Sequence, residues 1–169
     1  MIPKWVDRKT WLATPSESGI ISLKTPVPYV VIHHTETTSC RILADCKAQV
    51  LDIQQFDIFS QDLKDIRYNF LIGGDGYIYE GRGWTKEGLH TRGYNDVSIG
   101  IAFIGYFENR LPTIEMLLAA KEVIKEGVEG RYIKRDYQLL GARQLINTTS
   151  PGRKLYDLIK SWPHWSATV

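Results

Sequence analysis

Long apolar runs are missing from this chain of 169 residues. No window approaches the roughly 18 to 20 consecutive apolar residues that a membrane-crossing helix needs, so none is expected. Residues 1–10 are charged and contain Trp5, without the apolar core of a secretory leader; a leader or anchor in a longer product is left open. Strong charge is missing too, since 21 Lys and Arg against 19 Asp and Glu leave a net charge of +2. The basic residues are scattered rather than striped, which argues against a nucleic-acid partner. Cysteine is nearly absent. Cys40 and Cys46 are too few to hold zinc by themselves; they either bridge a loop to a following helix or stay reduced in a cytosolic protein. Nucleotide-binding glycine spacings are absent, and no Gly-x-Ser-x-Gly surrounds Ser150, so neither nucleotide chemistry nor an activated serine is supported.

What is present fits a single domain spanning 1–169, with 43% hydrophobic residues to build a core. Residues 1–28 are irregular, with Trp5 and Trp11 among polar residues and prolines, and read as a wrap-around segment pinned by its tryptophans. A buried strand is predicted at 29–33. Ser39 is the expected cap of a helix whose Ile42, Leu43, Cys46, Val50, Ile53 and Phe56 recur at helical spacing. Strands at 67–72 and 77–79 flank Gly73-Gly74-Asp75-Gly76, a strong hairpin signal. The run 97–105 is apolar throughout and reads as a central strand. A long helix follows at 113–128, ending at Gly127, then a short strand at 137–140 and a last helix from Pro151-Gly152 to 160. The fold class is therefore α/β, a mixed central β-sheet flanked by three helices.

The chemistry-bearing stretch is Val30-Val31-Ile32-His33-His34-Thr35, where a strand end can hold polar side chains rigidly at a cleft. Adjacent strand residues point to opposite faces, so His33 and His34 cannot readily share one ion. His90 lies in the glycine-rich stretch 80–95 with Arg82, Trp84 and Tyr94, which is either a binding loop or a connector whose aromatics fill gaps.

These stretches, together with Asp65-Ile66-Arg67-Tyr68-Asn69-Phe70-Leu71-Ile72-Gly73, Tyr79-Glu80-Gly81-Arg82-Gly83-Trp84, Gly93-Tyr94-Asn95-Asp96 and Ser150-Pro151-Gly152, resemble the peptidoglycan recognition protein family, in its insect-type, non-amidase form. That family is related to the zinc-dependent N-acetylmuramoyl-L-alanine amidases of phage lysozyme type. The resemblance implies an amidase-like fold, and a zinc site at His33, Ala142 and Ser150 in which only the first position still carries a ligand. A methyl and a neutral hydroxyl replace imidazole and thiolate, so neither zinc nor amidase activity is expected.

The resemblance also implies a Cys40–Cys46 disulfide, an extracellular protein or ectodomain, and a muropeptide ligand. The matching ligand-binding positions are His34, Thr35, Tyr68, Arg82, Trp84, His90, Tyr94, Thr148 and Ser150. Arg82 is the expected reader of the extra carboxylate of meso-diaminopimelic acid. Asp57 stands where the family commonly has a histidine facing the groove; an acid there repels an anionic peptide unless it is paired, with Arg92 the expected neutraliser. Asp62 and Leu63 match neither the diaminopimelate nor the lysine pattern. The implied role is a pattern-recognition domain in innate immunity that works through dimerisation with itself or another such domain. The alternative is a drifted co-receptor or decoy that binds no muropeptide alone.

Overall fold

A computed structural model describes residues 4–169; the first three residues of the expected 1–28 segment lie outside it. Strands β1 (Trp5–Val6), β2 (Val27–His34), β3 (Phe70–Ile72), β4 (Ile78–Glu80), β5 (Ser98–Phe103) and β6 (Ile133–Gly141) form one sheet in the order β1-β4-β3-β5-β2-β6. Neighbours run parallel except in the β3–β4 hairpin, so the sheet is mixed as expected. The hairpin turn uses Gly76 at φ +78°, a conformation glycine adopts without a Cβ penalty, and the Asp75 carboxylate accepts from the Tyr77 N–H at 3.0 Å. β5 lies between β2 and β3 with every residue buried, which is why its sequence is nearly continuous in apolar side chains.

Three helices, α1 (Leu43–Gln55), α2 (Ile114–Glu129) and α3 (Arg153–Ile159), cover the sheet. One core joins α2 and α3 to Val30, Ile32, Ile99 and Ile101; the other joins α1 and Trp11 to Leu71, Tyr79 and Ala102. Alternation along the strands produces this division. The Thr113 hydroxyl caps α2, accepting from the Met116 N–H at 3.3 Å. Gly127 does not end the helix: a Cβ there would come within 2.4 Å of Ile133 Cδ1 and 2.8 Å of Trp84, so this glycine serves close packing, and Gly130 is the C-cap.

α1 departs further from expectation. Its N-cap position is Ile42, with no side-chain cap, and Ser39 lies upstream. The Cys40–Cys46 disulfide ties the incoming loop to the helix, and the buried positions are Cys46, Val50, Ile53 and the polar Gln54, whereas Ile42, Leu43 and Phe56 are exposed. The helix passes directly into a π turn, Phe56–Ser60, whose wider winding takes Phe56 off the buried face and turns Asp57 inward. Gln54 is satisfied there by Thr14 and Asp65, accepting from the Thr14 N–H at 2.8 Å and donating to Asp65 at 2.9 Å.

The segment before β2 is clamped over this same side. Trp11 is buried and its indole donates to the Glu80 carbonyl at 2.9 Å, while Arg8 pairs with the buried Asp65 at 2.9 Å. Trp5 remains partly exposed and meets Phe70 edge to face. No helix among the described residues is long and apolar enough to cross a membrane.

Candidate functional site

At the C-terminal end of β2 the chain opens a cleft of about 610 Å³ between α1, the loop after β2 and the segment 146–150. Expected ligand residues His34, Thr35, Asp57, Tyr68, His90, Thr148 and Ser150 line it together with His33. Arg82, Trp84 and Tyr94 do not. The Arg82 guanidinium donates to the carbonyls of Ile66 at 2.7 Å, Glu87 at 2.9 Å and Asp65 at 3.4 Å, and the residue borders a separate shallow hollow. Trp84 is stacked on Tyr132 at 5.0 Å and packs on Phe70 against the α2 side of the sheet. Tyr94 meets Tyr29 edge to face at 5.8 Å. The loop 80–95 is thus largely anchored to the body of the protein, with Asn69 donating to the Gly83 and Lys86 carbonyls at 2.9 and 3.0 Å.

The two adjacent histidines do face opposite ways. The His33 ring lies 5.4 Å from Tyr68 and 5.1 Å from His90, whereas the His34 ring stacks on Tyr106 at 5.3 Å. A single Thr91 hydroxyl joins the first group, 2.7 Å from His90 Nδ1 and 2.9 Å from His33 Nε2. Thr91 donates to one of these two ring nitrogens and accepts from the other, a relay that closes with either pair of tautomers, and His33 Nδ1 faces Ser150 Oγ at 3.5 Å. Ser150 Oγ in turn accepts from the His34 main-chain N–H at 3.1 Å. The Phe107 N–H donates to His34 Nδ1 at 3.1 Å.

Burial governs the protonation of this group. It holds His33 well below the ordinary imidazole value, a direction reinforced by His90. His34 is lowered to about 4 and His90 to about 3, in both cases chiefly by desolvation. Burial also pushes Tyr68 up to about 12. All three imidazoles are therefore neutral at pH 7, and Tyr68 keeps its proton. His90 fits only because Gly88 and Gly100 carry no Cβ; one added at either would come within 2.4 Å of its ring.

Asp57 is neutralised by Arg67, not by Arg92. Its Oδ1 accepts from Arg67 Nε at 3.0 Å and Nη2 at 2.8 Å, and its Oδ2 accepts from the Arg67 main-chain N–H at 2.9 Å. Burial pulls the Arg67 guanidinium down, but the hydrogen bond and charge of Asp57 outweigh it and leave the pKa raised. Arg67 lines the cleft and was absent from the residues singled out in the sequence. Gln49, Asp52 and Phe56 of the α1 wall were missed as well. Gln49 and Asp52 had a signal in the sequence, standing three apart on the polar flank of a helix whose Cys46 and Val50 are buried; Phe56 had none, because the π turn sets its direction. Nor had Arg67, whose direction depends on the same turn.

Zinc does not fit this donor set. Ala142 contributes a buried methyl and Ser150 a hydroxyl already engaged with His34, and among the described residues no group of three or more His, Cys, Asp or Glu is placed to hold a metal ion.

Comparison with known proteins places the chain. A family model described as N-acetylmuramoyl-L-alanine amidase matches residues 23–153. Drosophila melanogaster peptidoglycan-recognition protein SA is 44% identical over 158 residues, 94% of this chain and 77% of that protein. A structure of bumblebee PGRP-SA superimposes with a TM-score of 0.96 at 43% identity, covering 99% of this chain and 100% of that one. In the complex of the PGRP-LCa and PGRP-LCx ectodomains with tracheal cytotoxin, the matched chain gives a TM-score of 0.95 at 43% identity, covering 96% of this chain and 98% of that one. The chain spans about half the length of some curated relatives it matches, 46% of one and 47% of another. With its amidase-like sheet, its disulfide and a cleft of altered zinc positions, the chain belongs to the peptidoglycan recognition protein family.

Proposed function

We propose that the cleft binds peptidoglycan fragments without cleaving them, as the extracellular recognition part of an innate immune response. The observation that carries this reading is the combination in one cleft of about 610 Å³: hydroxyls of Thr35, Tyr68 and Thr148 line it with the Asp57–Arg67 pair, while of the zinc positions only His33 carries a donor suited to the metal. Thr35, Tyr68 and Thr148 orient sugar and peptide, and His34, His90 and Ser150 hold the floor in shape. Arg82, Trp84 and Tyr94 act by fixing the loop 80–95, in keeping with their contacts. The Cys40–Cys46 disulfide supports an oxidising, extracellular setting.

A diaminopimelate-type ligand is the finer proposal. The related LCa–LCx complex was solved with tracheal cytotoxin, a monomeric diaminopimelic acid-type peptidoglycan, and a ligand-bridged pair of recognition domains is the arrangement we propose here too. A second reading, a co-receptor or decoy that binds no muropeptide alone, is favoured by one feature: the cleft carries the acid Asp57, internally paired. Calorimetric titration with monomeric diaminopimelate-type and lysine-type muropeptides, with product analysis after prolonged incubation, separates these readings. Micromolar or tighter binding with intact ligand supports recognition. Absence of heat with both ligands favours the co-receptor, and cleavage of the amide overturns the non-catalytic reading.

A further inference from the structure

We infer that Arg67 reads a carboxylate on the bound ligand and that Asp57 is the residue that positions it; this rests on the cleft being the ligand site. A guanidinium offers two planar forks, Nε with Nη2 and Nη1 with Nη2, each matched to a carboxylate. Asp57 takes the first, through Oδ1 at 3.0 and 2.8 Å. Its Oδ2 is held by the Arg67 main-chain N–H at 2.9 Å, so the carboxylate cannot rotate away without losing a bond at each oxygen. On the second fork only Nη2 is engaged, through the hydrogen it gives to Asp57; Nη1 has no protein hydrogen bond among the described residues, and the Arg67 side chain is 30% exposed on the wall of the cleft while that of Asp57 is 2% exposed. One end of the arginine is therefore fixed and the other is presented.

This arrangement differs from that of Arg82, whose three donor nitrogens all end on main-chain carbonyls. It also determines the kind of selectivity. The pair has no net charge, so it exerts little long-range pull on an anion; discrimination arises at contact, from the fit of a planar acceptor to a planar fork. The favoured ligand carries a free carboxylate on its peptide side chain. A side chain ending in an amide makes one bond of the two, and one ending in an ammonium alone meets like charge.

The test uses three monomeric muropeptides that share sugar and stem and differ only in the third residue: meso-diaminopimelate, the same residue with its side-chain carboxyl amidated, and lysine. Titration of the unaltered protein is expected to favour the free carboxylate over its amide by about tenfold. Arg67→Lys, which keeps the charge opposite Asp57 but removes the fork, is expected to reduce this preference to within about twofold while affinity for the amidated ligand stays level. Asp57→Asn is expected to narrow the preference in the same direction, and thermal melting of both variants checks that the fold persists. Arg82→Lys is expected to lower the melting temperature but keep the preference. Full preference retained in a folded Arg67→Lys variant, or lost only in Arg82→Lys, overturns the assignment while leaving the cleft reading in place. No binding of any of the three ligands to the unaltered protein removes the cleft reading and this inference with it.

Discussion

The two faces of the sheet are held by different physics. On the α2–α3 side, Ile32, Ile101, Phe103, Met116, Val123 and Leu155 pack into an apolar core whose stability comes from area removed from water. On the α1 side the apolar core gives way to buried polar groups: Gln54, Asp57, Asp65 and His33, held by specific partners, and His90, whose Nδ1 is held by Thr91 while its Nε2 has no protein partner among the described residues. The candidate cleft opens on the second side. Polar groups that contact a ligand must be held in fixed directions, and hydrogen-bond networks do this at a cost in desolvation that apolar packing does not carry.

The strongest way to break this contrast is Asp65→Ala. That carboxylate receives Arg8, Gln54 and the Ile66 N–H, and its removal strands a partly buried guanidinium and a buried amide. A loss of about 3 to 5 kcal/mol is expected in denaturant unfolding. A loss below about 1 kcal/mol would mean that the α1 side is held mainly by its apolar contacts and disulfide.

Acidification comes next. His34 and His90 have folded values of about 4 and 3, lowered from 6.5, so the unfolded chain takes up protons first as pH falls. Stability is undiminished above pH 6.5, declines below it, and levels off only near the folded values. At pH 5 the expected decrease is on the order of 2 kcal/mol for each ring, read as a shift in the unfolding midpoint between pH 7.5 and 5. A flat profile over that range would show that the imidazoles are not held neutral.

Ile101→Val sharpens the comparison from the other side. It deletes one methylene from a fully buried position whose core contains no histidine or carboxylate, so about 1 kcal/mol is lost at pH 7.5 and the same at pH 5. A pH-dependent difference would show that the two faces are coupled. Smallest of all, Lys160→Ala breaks an exposed pair with Asp157 at 3.4 Å and is expected to change stability by less than about 0.5 kcal/mol.

Legibility in the sequence followed the same division. Continuous apolar runs and an Asp-Gly turn report directly on burial and reversal, so β5 and the β3–β4 hairpin lie where those patterns place them, whereas β6, expected at 137–140, runs Ile133–Gly141 because most of its first half is exposed and polar. α2 was readable except at Gly127, where a glycine needed for contact with Ile133 and Trp84 imitates a helix stop. On the α1 side the readings failed at Ile42, Leu43 and Phe56, since a disulfide and a π turn, rather than the 3.6-residue period, decide which positions are buried.

The residues alone determined that two histidines end a strand, that positions 142 and 150 carry no zinc donor, and that a hairpin and a central strand lie between the helices. They also pointed to Arg82 as the arginine of the cleft and gave no sign of Arg67. Only the tertiary structure reversed that. Arg82 meets main-chain carbonyls of residues 65, 66 and 87 that satisfy its donors, whereas Arg67 meets one carboxylate, delivered by a π turn ten positions earlier, and keeps its Nη1 end unengaged. A long flexible side chain takes its direction from the acceptors that surround it, and those acceptors come from segments far apart in the chain.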